Sequence, residues 1–339
     1  MSKIILILLF IFFLVYSISK NKPANSLQSV IVCAAMILLI TFRDSNMADY
    51  SGYTYLFEHQ YEFVEPFHLF LIEILNSGGF TVVTYFFIIA LLTVTLQFSA
   101  IRKIMGKFWG LSILTWLGTS FVLNDMVTIR AGLAASLLLW MVYYKVEKKL
   151  LYIVILLIAS ISIHLSSAAF IIIFFLSPSI VHRKYYLLGL VFSILCPIVG
   201  FSLTDFFNAI GFELFDEKML LYLNGEHEAN VFNPFQLIKF AIAVVIWLYY
   251  NRINPNNKYF LLSLKIYTIG CIWYFMTYKI MAVAWRISCL FWTVDVFVYP
   301  FLAYLISKKL TPGSKLIPAG ISAMFFIVNV SWQLYWNPA

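Results

Sequence analysis

Three arginines lie at the edges of long apolar stretches of the sequence. Arg43 follows one such stretch, Arg130 lies just inside another, and Arg286 opens a third. A charged side chain inside the membrane costs free energy, so such residues often mark a binding site or a ligand pathway. Because a guanidinium binds phosphate oxygens through two parallel hydrogen bonds, the three residues predict an anionic ligand. An anchor at the membrane interface is the alternative for each of them.

His164 is a candidate for proton transfer, and Asp49 and Glu65 stand out among the carboxylates of one segment. His164 interrupts an apolar stretch, whereas Asp49 precedes Tyr50 and Glu65 precedes Pro66 in a polar segment. His164 could act as a general base or as an orienting hydrogen-bond donor that faces the outer cavity. The alternatives are a hydrogen-bonded packing histidine and solvated loop carboxylates.

Arg43, Tyr50 and Tyr53 are candidates for substrate contacts, and Lys279 lies on the same outward side. The tyrosine rings can stack on sugar rings, although tyrosines are also common at membrane interfaces. Neither a cofactor nor a metal is expected. His227 between two glutamates is a weak ligand pattern, and the four cysteines show no CxxC spacing.

The composition indicates which elements position these residues. The chain has 339 residues, of which 63% are hydrophobic and only 11% are charged; soluble domains carry about 25% charged residues. We therefore predict a single transmembrane domain over residues 1–339. The net charge of +8 does not indicate nucleic-acid binding, because the basic residues are dispersed between apolar stretches.

The apolar stretches predict an all-α, polytopic bundle of about 11–12 spans. The first stretch is interpreted as a retained span, because no small-residue cleavage site follows it. The stretch 150–178 is either one tilted helix or two short spans broken near His164, and the basic residues on both sides of it favour the break. The predicted spans are 3–19, 27–42, 80–101, 108–124, 128–144, 150–162, 165–178, 185–205, 234–250, 259–278, 286–306 and 316–335.

Most lysines and arginines fall in one set of loops, which predicts that these loops are cytoplasmic. Of the 15 acidic residues, only Glu147 lies in those loops. The three arginines, His164 and both chain termini are therefore expected on the outer side. The segments 43–79 and 206–233 become the two large outward-facing loops.

Each outward segment is predicted to contain a short amphipathic helix. In the first, Pro66 suits the first helical position and Gly78-Gly79 suits the end of the helix. A helix this short cannot cross a bilayer, so we expect it to lie at the outer membrane surface or to dip into it. In the second, the helix would cover 214–223. The first helix has an apolar face with Phe67, Phe70, Leu71, Ile74 and Leu75 and a polar face with Glu65, His68, Glu73 and Asn76.

Several short motifs lie at the ends of the predicted spans. They are Phe42-Arg43-Asp44 with Asp49-Tyr50 and Tyr53, Glu65-Pro66 with Gly78-Gly79, Ile129-Arg130-Ala131-Gly132-Leu133-Ala134, Ile163-His164-Leu165-Ser166 and Trp285-Arg286-Ile287-Ser288. In this order the chain resembles the EpsG-like membrane proteins that include Wzy-type O-antigen and polysaccharide polymerases, over roughly residues 25–305. Two positions depart from the family pattern: Ala131 replaces a frequent Gln, and Trp285 replaces a frequent Tyr.

The resemblance implies a GT-C-like glycosyltransferase architecture in the bacterial inner membrane, with 43–79 and 206–233 as periplasmic loops. The donor would be a growing glycan on undecaprenyl diphosphate, and the acceptor would be the non-reducing end of a repeat unit on a second carrier lipid. A chain-length regulator protein would be a further partner. Of the catalytic residues, Arg130 and Arg286 would neutralise the leaving diphosphate, and Arg43 or Lys279 would assist them in binding the substrate. The general base would be His164, Asp49 or Glu65.

Three other interpretations of the sequence remain open. A flippase or exporter would also handle an anionic lipid-linked glycan, but its cationic residues should be distributed through the depth of a central cavity. An O-antigen ligase would use the same donor as a polymerase. A structural membrane subunit would leave the outward-facing arginines unexplained.

Overall fold

The computed structural model of the protein describes residues 2–19, 25–59, 65–205, 231–253 and 257–335. These residues fold into helices, and no strand occurs among them. The predicted all-α fold is therefore confirmed. The α-helices are α1 (Ser2–Ser19), α2 (Ser26–Thr41), α3 (Tyr50–His59), α4 (Pro66–Ser77), α5 (Val82–Met105), α6 (Trp109–Thr119), α7 (Ile129–Val146), α8 (Leu150–Ile163), α9 (Arg183–Ile198), α10 (Pro234–Leu248), α11 (Tyr250–Ile253), α12 (Lys258–Met276), α13 (Met281–Trp292), α14 (Asp295–Val298) and α15 (Leu316–Tyr335).

Other helix types link or extend the α-helices. A π-helix covers Phe121–Val127, and 3₁₀-helices cover Gly106–Phe108, Leu165–Phe174, Tyr299–Leu305 and Gly313–Lys315. The predicted span 108–124 is thus divided between α6 and the π-helix. The predicted span 286–306 is divided between α13, α14 and a 3₁₀-helix that contains Pro300, a residue without a backbone N–H. Nearly all of the predicted loop 206–233, including the helix expected at 214–223, lies outside the described residues.

The protein is a polytopic membrane protein, as predicted. The described part of the chain contains five helices that are long and apolar enough to cross a membrane. Large apolar side chains such as Leu8, Val30 and Leu188 are exposed on the outside of the bundle, as expected for surfaces that face lipid. The five long helices are Val82–Thr119, Ile129–Val146, Lys258–Met276, Ala282–Leu305 and Gly313–Ser331, and the shorter apolar helices are Ile4–Ser19, Leu27–Thr41, Leu150–Ile163, Leu165–Phe174 and Pro234–Leu248.

Helix ends that carry lysine and arginine meet at one end of the bundle, which we call the basic end. Lys145 at the end of α7 and Lys315 before α15 bind carbonyl groups at the C-termini of other helices, where the orphan carbonyls and the helix dipole favour a cation. That this end faces the cytoplasm stays a prediction. The contacts there join Lys103 to the Tyr143 ring, Tyr16 to Trp109, Lys145 to the Phe174 carbonyl, and Lys315 to the carbonyls of Ser17 and Ile18.

The predicted break at His164 is confirmed. His164 is extended, with φ −155° and ψ 111°, between α8 and the 3₁₀-helix Leu165–Phe174. The chain reverses there. This reversal brings the carbonyl of Phe174, at the end of the 3₁₀-helix, within 2.8 Å of Lys145 Nζ, which lies close to where α8 begins and bonds it. The 14 residues of α8 span about 21 Å at 1.5 Å each, and the 10 residues of the 3₁₀-helix span about 20 Å at 2.0 Å each. The two limbs of this hairpin therefore match in length.

Candidate functional site

Glu65, Arg130 and His164 form an ion-paired cluster at the end of the bundle opposite the basic end. The Arg130 guanidinium donates to Glu65 Oε2 at 2.6 Å, and His164 Nδ1 lies 3.3 Å from Glu65 Oε1. The exposed fraction of the side chain is 15% for Glu65, 30% for Arg130 and 14% for His164. They come from three separate segments: the residue before α4, the first turn of α7 and the break after α8. The structure thus brings together three residues that the sequence predicts to be catalytic.

The break after α8 is held in place by side chains of the α4 region. Chain reversal leaves the Ile163 carbonyl and the Leu165 N–H without helical partners. His68 Nε2 bonds the Ile163 carbonyl at 3.0 Å, and Glu65 accepts a long hydrogen bond from the Leu165 N–H at 3.4 Å. The Tyr85 hydroxyl bonds the other ring nitrogen of His68 at 2.9 Å. Glu65 and His68 lie three residues apart on one side of the helix, so they dock α4 on the break together.

His68 and Glu65 titrate outside the physiological range because of these surroundings. Burial, reinforced by the charge of Arg130, lowers the pKa of His68 to about 4, so its ring is neutral. Burial by itself raises the pKa of Glu65, but the hydrogen bond from His164 and the charge of Arg130 outweigh it and hold that pKa at about 2. Glu65 is therefore a carboxylate at neutral pH. The sequence places Glu65 and His68 on the polar side of α4; both contact the break after α8, and the side chain of His68 is fully buried there.

The Glu65 carboxylate orients the imidazole of His164. Because an ionised carboxylate only accepts hydrogen bonds, His164 Nδ1 carries the proton of their contact. In the neutral ring the lone pair then lies on Nε2. A carboxylate that fixes the tautomer of a histidine in this way is the arrangement that prepares a general base in hydrolases.

Arg43 is buried in an aromatic cage beside this cluster. Its guanidinium carbon lies 4.0 Å from the Phe86 ring centroid, 5.5 Å from that of Tyr50 and 5.4 Å from that of Tyr53. The residue is 5% exposed, and none of its three guanidinium nitrogens has a hydrogen-bond partner among the described residues. Cation–π contacts stabilise the charge but leave its N–H groups unsatisfied. Such a group favours an anionic partner.

Tyr53 connects the two arginines. The Arg130 guanidinium lies 5.6 Å from the Tyr53 ring centroid, on the ring that also contacts Arg43. The Arg130 Nε atom has no hydrogen-bond partner among the described residues. Glu65 is ion-paired with Arg130 but not, in the described structure, with Arg43. Arg43, Tyr53, Glu65 and Arg130 therefore include two cations and one carboxylate, and the exposed Asp49 is a further carboxylate whose charge acts on Arg43.

The remaining predicted residues lie apart from this ion pair. Asp49 is exposed before α3, in a left-handed conformation with φ 64°. Lys279 donates to Asp205 at 2.6 Å, with 42% and 46% of the two side chains exposed, and so joins the ends of α12 and α9. Arg286 is exposed on α13. None of these three positions tests the role predicted for the residue, which stays a prediction.

A second polar region, which the sequence did not single out as a site, surrounds a cavity of about 430 Å³ including the open space at its mouth. Its lining includes Lys239 of α10 and Asp295 of α14. The available signal was a lysine and an aspartate inside apolar spans, a placement that commonly marks function. The described residues hold no group of three His, Cys, Asp or Glu side chains that is suited to a metal ion.

Comparisons with known proteins give one match. No curated protein and no solved structure matches the chain. The model of the EpsG family matches residues 26–337, which is nearly the whole sequence. On this match the chain belongs to the EpsG family, a Wzy-like, polymerase-type family.

Proposed function

We propose that the protein is a polysaccharide polymerase of the Wzy type, acting on the periplasmic face of the bacterial inner membrane. It transfers a growing glycan from undecaprenyl diphosphate to the non-reducing end of a repeat unit on a second undecaprenyl diphosphate. Membership in the EpsG family indicates the polymerase-like role in polysaccharide biosynthesis. The observation that supports the reaction is the cluster of Glu65, Arg130 and His164.

His164 is the proposed general base. The acceptor hydroxyl oxygen attacks the anomeric carbon of the donor, and its proton moves to His164 Nε2. Glu65 stabilises the imidazolium that forms, because its carboxylate already bonds Nδ1–H. Asp49 is the less favoured base, because it is exposed and outside the ion-paired cluster.

The arginines neutralise the leaving group. As the new C–O bond forms, the bond between the anomeric carbon and the diphosphate breaks, and the electron pair leaves with the diphosphate. Arg130 is the proposed partner of the developing charge; the 30% exposure of its side chain and the absence of a partner for its Nε–H among the described residues support this role. Arg43 and Arg286 add positive charge, and Lys279 does so if it exchanges Asp205 for substrate. No step requires a metal.

Genetics tests the proposal. In a deletion strain, lipopolysaccharide separated on a gel should show core plus a single repeat, because repeat units are made and ligated but not polymerised. A plasmid copy of the gene should restore the ladder, and the His164→Gln variant at the same expression level should not. A normal ladder in the deletion strain would refute the proposal. Loss of the single-repeat band would favour a flippase or a ligase.

A further inference from the structure

The cavity beside Asp295 lies between helices from distant parts of the chain. It is lined by the end of α6, the π-helix, the first turns of α10, the end of α13 with α14, and α15. One wall of the cavity, at Asn124, packs closely against α7, which carries Arg130. A Cβ atom added at Gly132, two residues after Arg130, would collide with the Asn124 carbonyl and with Asp125. Trp285, which precedes Arg286, lines the cavity on another side. The cavity therefore adjoins the two helices that carry the proposed catalytic arginines.

Polar atoms without partners concentrate in this cavity. Both carboxylate oxygens of Asp295, Oε1 of Gln236, Nε1 of Trp292 and Oγ of Ser120 are buried, and none has a hydrogen-bond partner among the described residues. Thr119 lies near Asp295 but donates its hydroxyl to the Thr115 carbonyl. A buried polar group without a partner is destabilising, so five such atoms around one space point to a bound group that satisfies them.

The set of unsatisfied atoms defines the chemistry of that group. Trp292 offers a donor, Ser120 offers a hydroxyl that donates or accepts, and Asp295 and Gln236 offer acceptors. A ligand that satisfies all of them must both donate and accept, as the hydroxyl groups of a sugar do. A phosphate offers mainly acceptors, so it would suit Lys239 but would leave the accepting oxygens of Asp295 and Gln236 without donors.

Aromatic rings complete the lining. Lys239 Nζ lies 4.4 Å from the Trp292 ring centroid and 5.2 Å from that of Phe325. Trp285 and Phe235 add two more rings to the cavity wall. Flat aromatic faces beside hydrogen-bonding groups suit a ring with apolar faces and a polar rim. A pyranose has this shape.

We propose that this cavity is a carbohydrate subsite that binds a sugar ring of the glycan substrate next to the ion-paired cluster. The proposal rests on the proposed polymerase function. It assigns the ring to Trp292, Asp295, Gln236 and Ser120, and it separates sugar recognition from diphosphate recognition by the arginines. No residue of this subsite takes part in bond breaking.

Binding of a lipid-free glycan tests the subsite. The probe is the oligosaccharide repeat unit released by mild acid from the lipid-linked intermediate of the host, titrated into purified protein in nanodiscs by calorimetry. Trp292→Phe keeps a ring and removes the N–H, and Ser120→Ala removes one hydroxyl. Because a neutral hydrogen bond contributes about 3- to 10-fold in affinity, each variant should raise Kd by about that factor.

A matched variant controls for folding and packing. Ser112→Ala also removes a buried hydroxyl that lacks a partner among the described residues, but Ser112 does not line the cavity. Its Kd should stay within about twofold of the wild-type value. No binding of the oligosaccharide to the wild type, or equal Kd values for Ser120→Ala and Ser112→Ala, would overturn the proposal and leave a cavity that holds only water.

Two further arms separate this proposal from the polymerase function. Glu65→Gln should bind the oligosaccharide normally while polymerisation is lost. If the wild type binds the oligosaccharide but does not polymerise lipid-linked repeat units, the proposed function fails and the subsite stands. Undecaprenyl phosphate without sugar should bind wild type and Trp292→Phe equally, and weaker binding by the variant would assign the cavity to lipid phosphate instead.

Discussion

The ion-paired cluster and the cavity are both polar regions inside an apolar bundle, but they satisfy their polar groups differently. In the cluster, Glu65 bonds Arg130 at 2.6 Å and His164 at 3.3 Å, so most of the hydrogen bonds are internal. In the cavity, Asp295 has no hydrogen-bond partner among the described residues. The first region is organised before any ligand binds, whereas the second requires something to fill it.

A second buried aspartate shows that the difference is not caused by depth in the bundle. Asp125 of the π-helix is 1% exposed, like Asp295, yet it accepts from Gln97 at 2.9 Å and from Trp116 at 2.6 Å. It therefore supports the wall between the two regions. A buried polar group in this protein is structural where partners surround it and a candidate for ligand binding where they do not.

The largest effect is expected from breaking the cluster. Arg130→Ala removes the partner of Glu65 and a donor to the leaving diphosphate. Loss of one preorganised donor typically lowers kcat about 10²- to 10³-fold. The measurement is polymerisation of lipid-linked repeat units by purified protein. Arg102→Ala is the control, because Arg102 contacts Ser29 at the basic end; Arg130→Ala activity within tenfold of the wild type would contradict the role of Arg130.

The pH dependence of the free energy of unfolding tests how His68 supports the cluster. The pKa of His68 is lowered from 6.5 to about 4 in the folded protein. The unfolded chain therefore binds a proton first, and the free energy of unfolding should decrease as pH falls from 6.5 to 4, by about 3 kcal/mol for this shift. Denaturant unfolding in mixed micelles over this range measures the slope.

His68→Gln should abolish that slope, since glutamine keeps a donor and an acceptor without titrating. Glu65→Gln should preserve it above pH 4.5. The lowered pKa of Glu65, from 4.5 to about 2, contributes stability that is complete above 4.5 and is lost only as pH falls toward 2. An unchanged slope in His68→Gln would show that another group causes it.

The smallest effect compares the two buried aspartates directly. Asp125→Asn replaces one of two accepting oxygens by an amide donor that faces an N–H, which should lower the free energy of unfolding by about 1–3 kcal/mol. Asp295→Asn breaks no hydrogen bond to the described residues and removes a buried carboxylate whose desolvation the charge of Lys239 offsets only in part, so stability should be unchanged or increased by about 1 kcal/mol. The comparison fails if Asp295→Asn is the more destabilising variant in the same unfolding measurement.

Several elements of the fold follow from local sequence signals. The helix that begins at Pro66 and ends before Gly78 is where proline and glycine place it. The break at His164 follows from basic residues on both sides of a stretch too long for one short span. These features depend on the hydropathy, charge and backbone preferences of neighbouring residues, so they are readable without tertiary structure.

The partners of buried polar residues do not follow from such signals. The sequence predicts Glu65, Arg130 and His164 as separate candidates, and it does not predict that His68 is buried against the break after α8. It also leaves Asp125 and Asp295 undistinguished. Each pairing joins residues far apart in the chain: His68 bonds Ile163, and Gln97 bonds Asp125. Helical periodicity shows which residues share one face of a helix, but it does not show which other part of the chain that face contacts.

The three arginines show the same difference between what local sequence predicts and what tertiary packing decides. The sequence by itself determined that Arg43, Arg130 and Arg286 lie near the ends of apolar helices, because charge and hydropathy are local properties of a chain in a bilayer. Only the tertiary structure decided that Arg130 has a carboxylate partner, that Arg43 is enclosed by aromatic rings and that Arg286 is exposed. The physical reason is that a desolvated charge is stabilised by atoms within a few ångströms, which helix packing supplies.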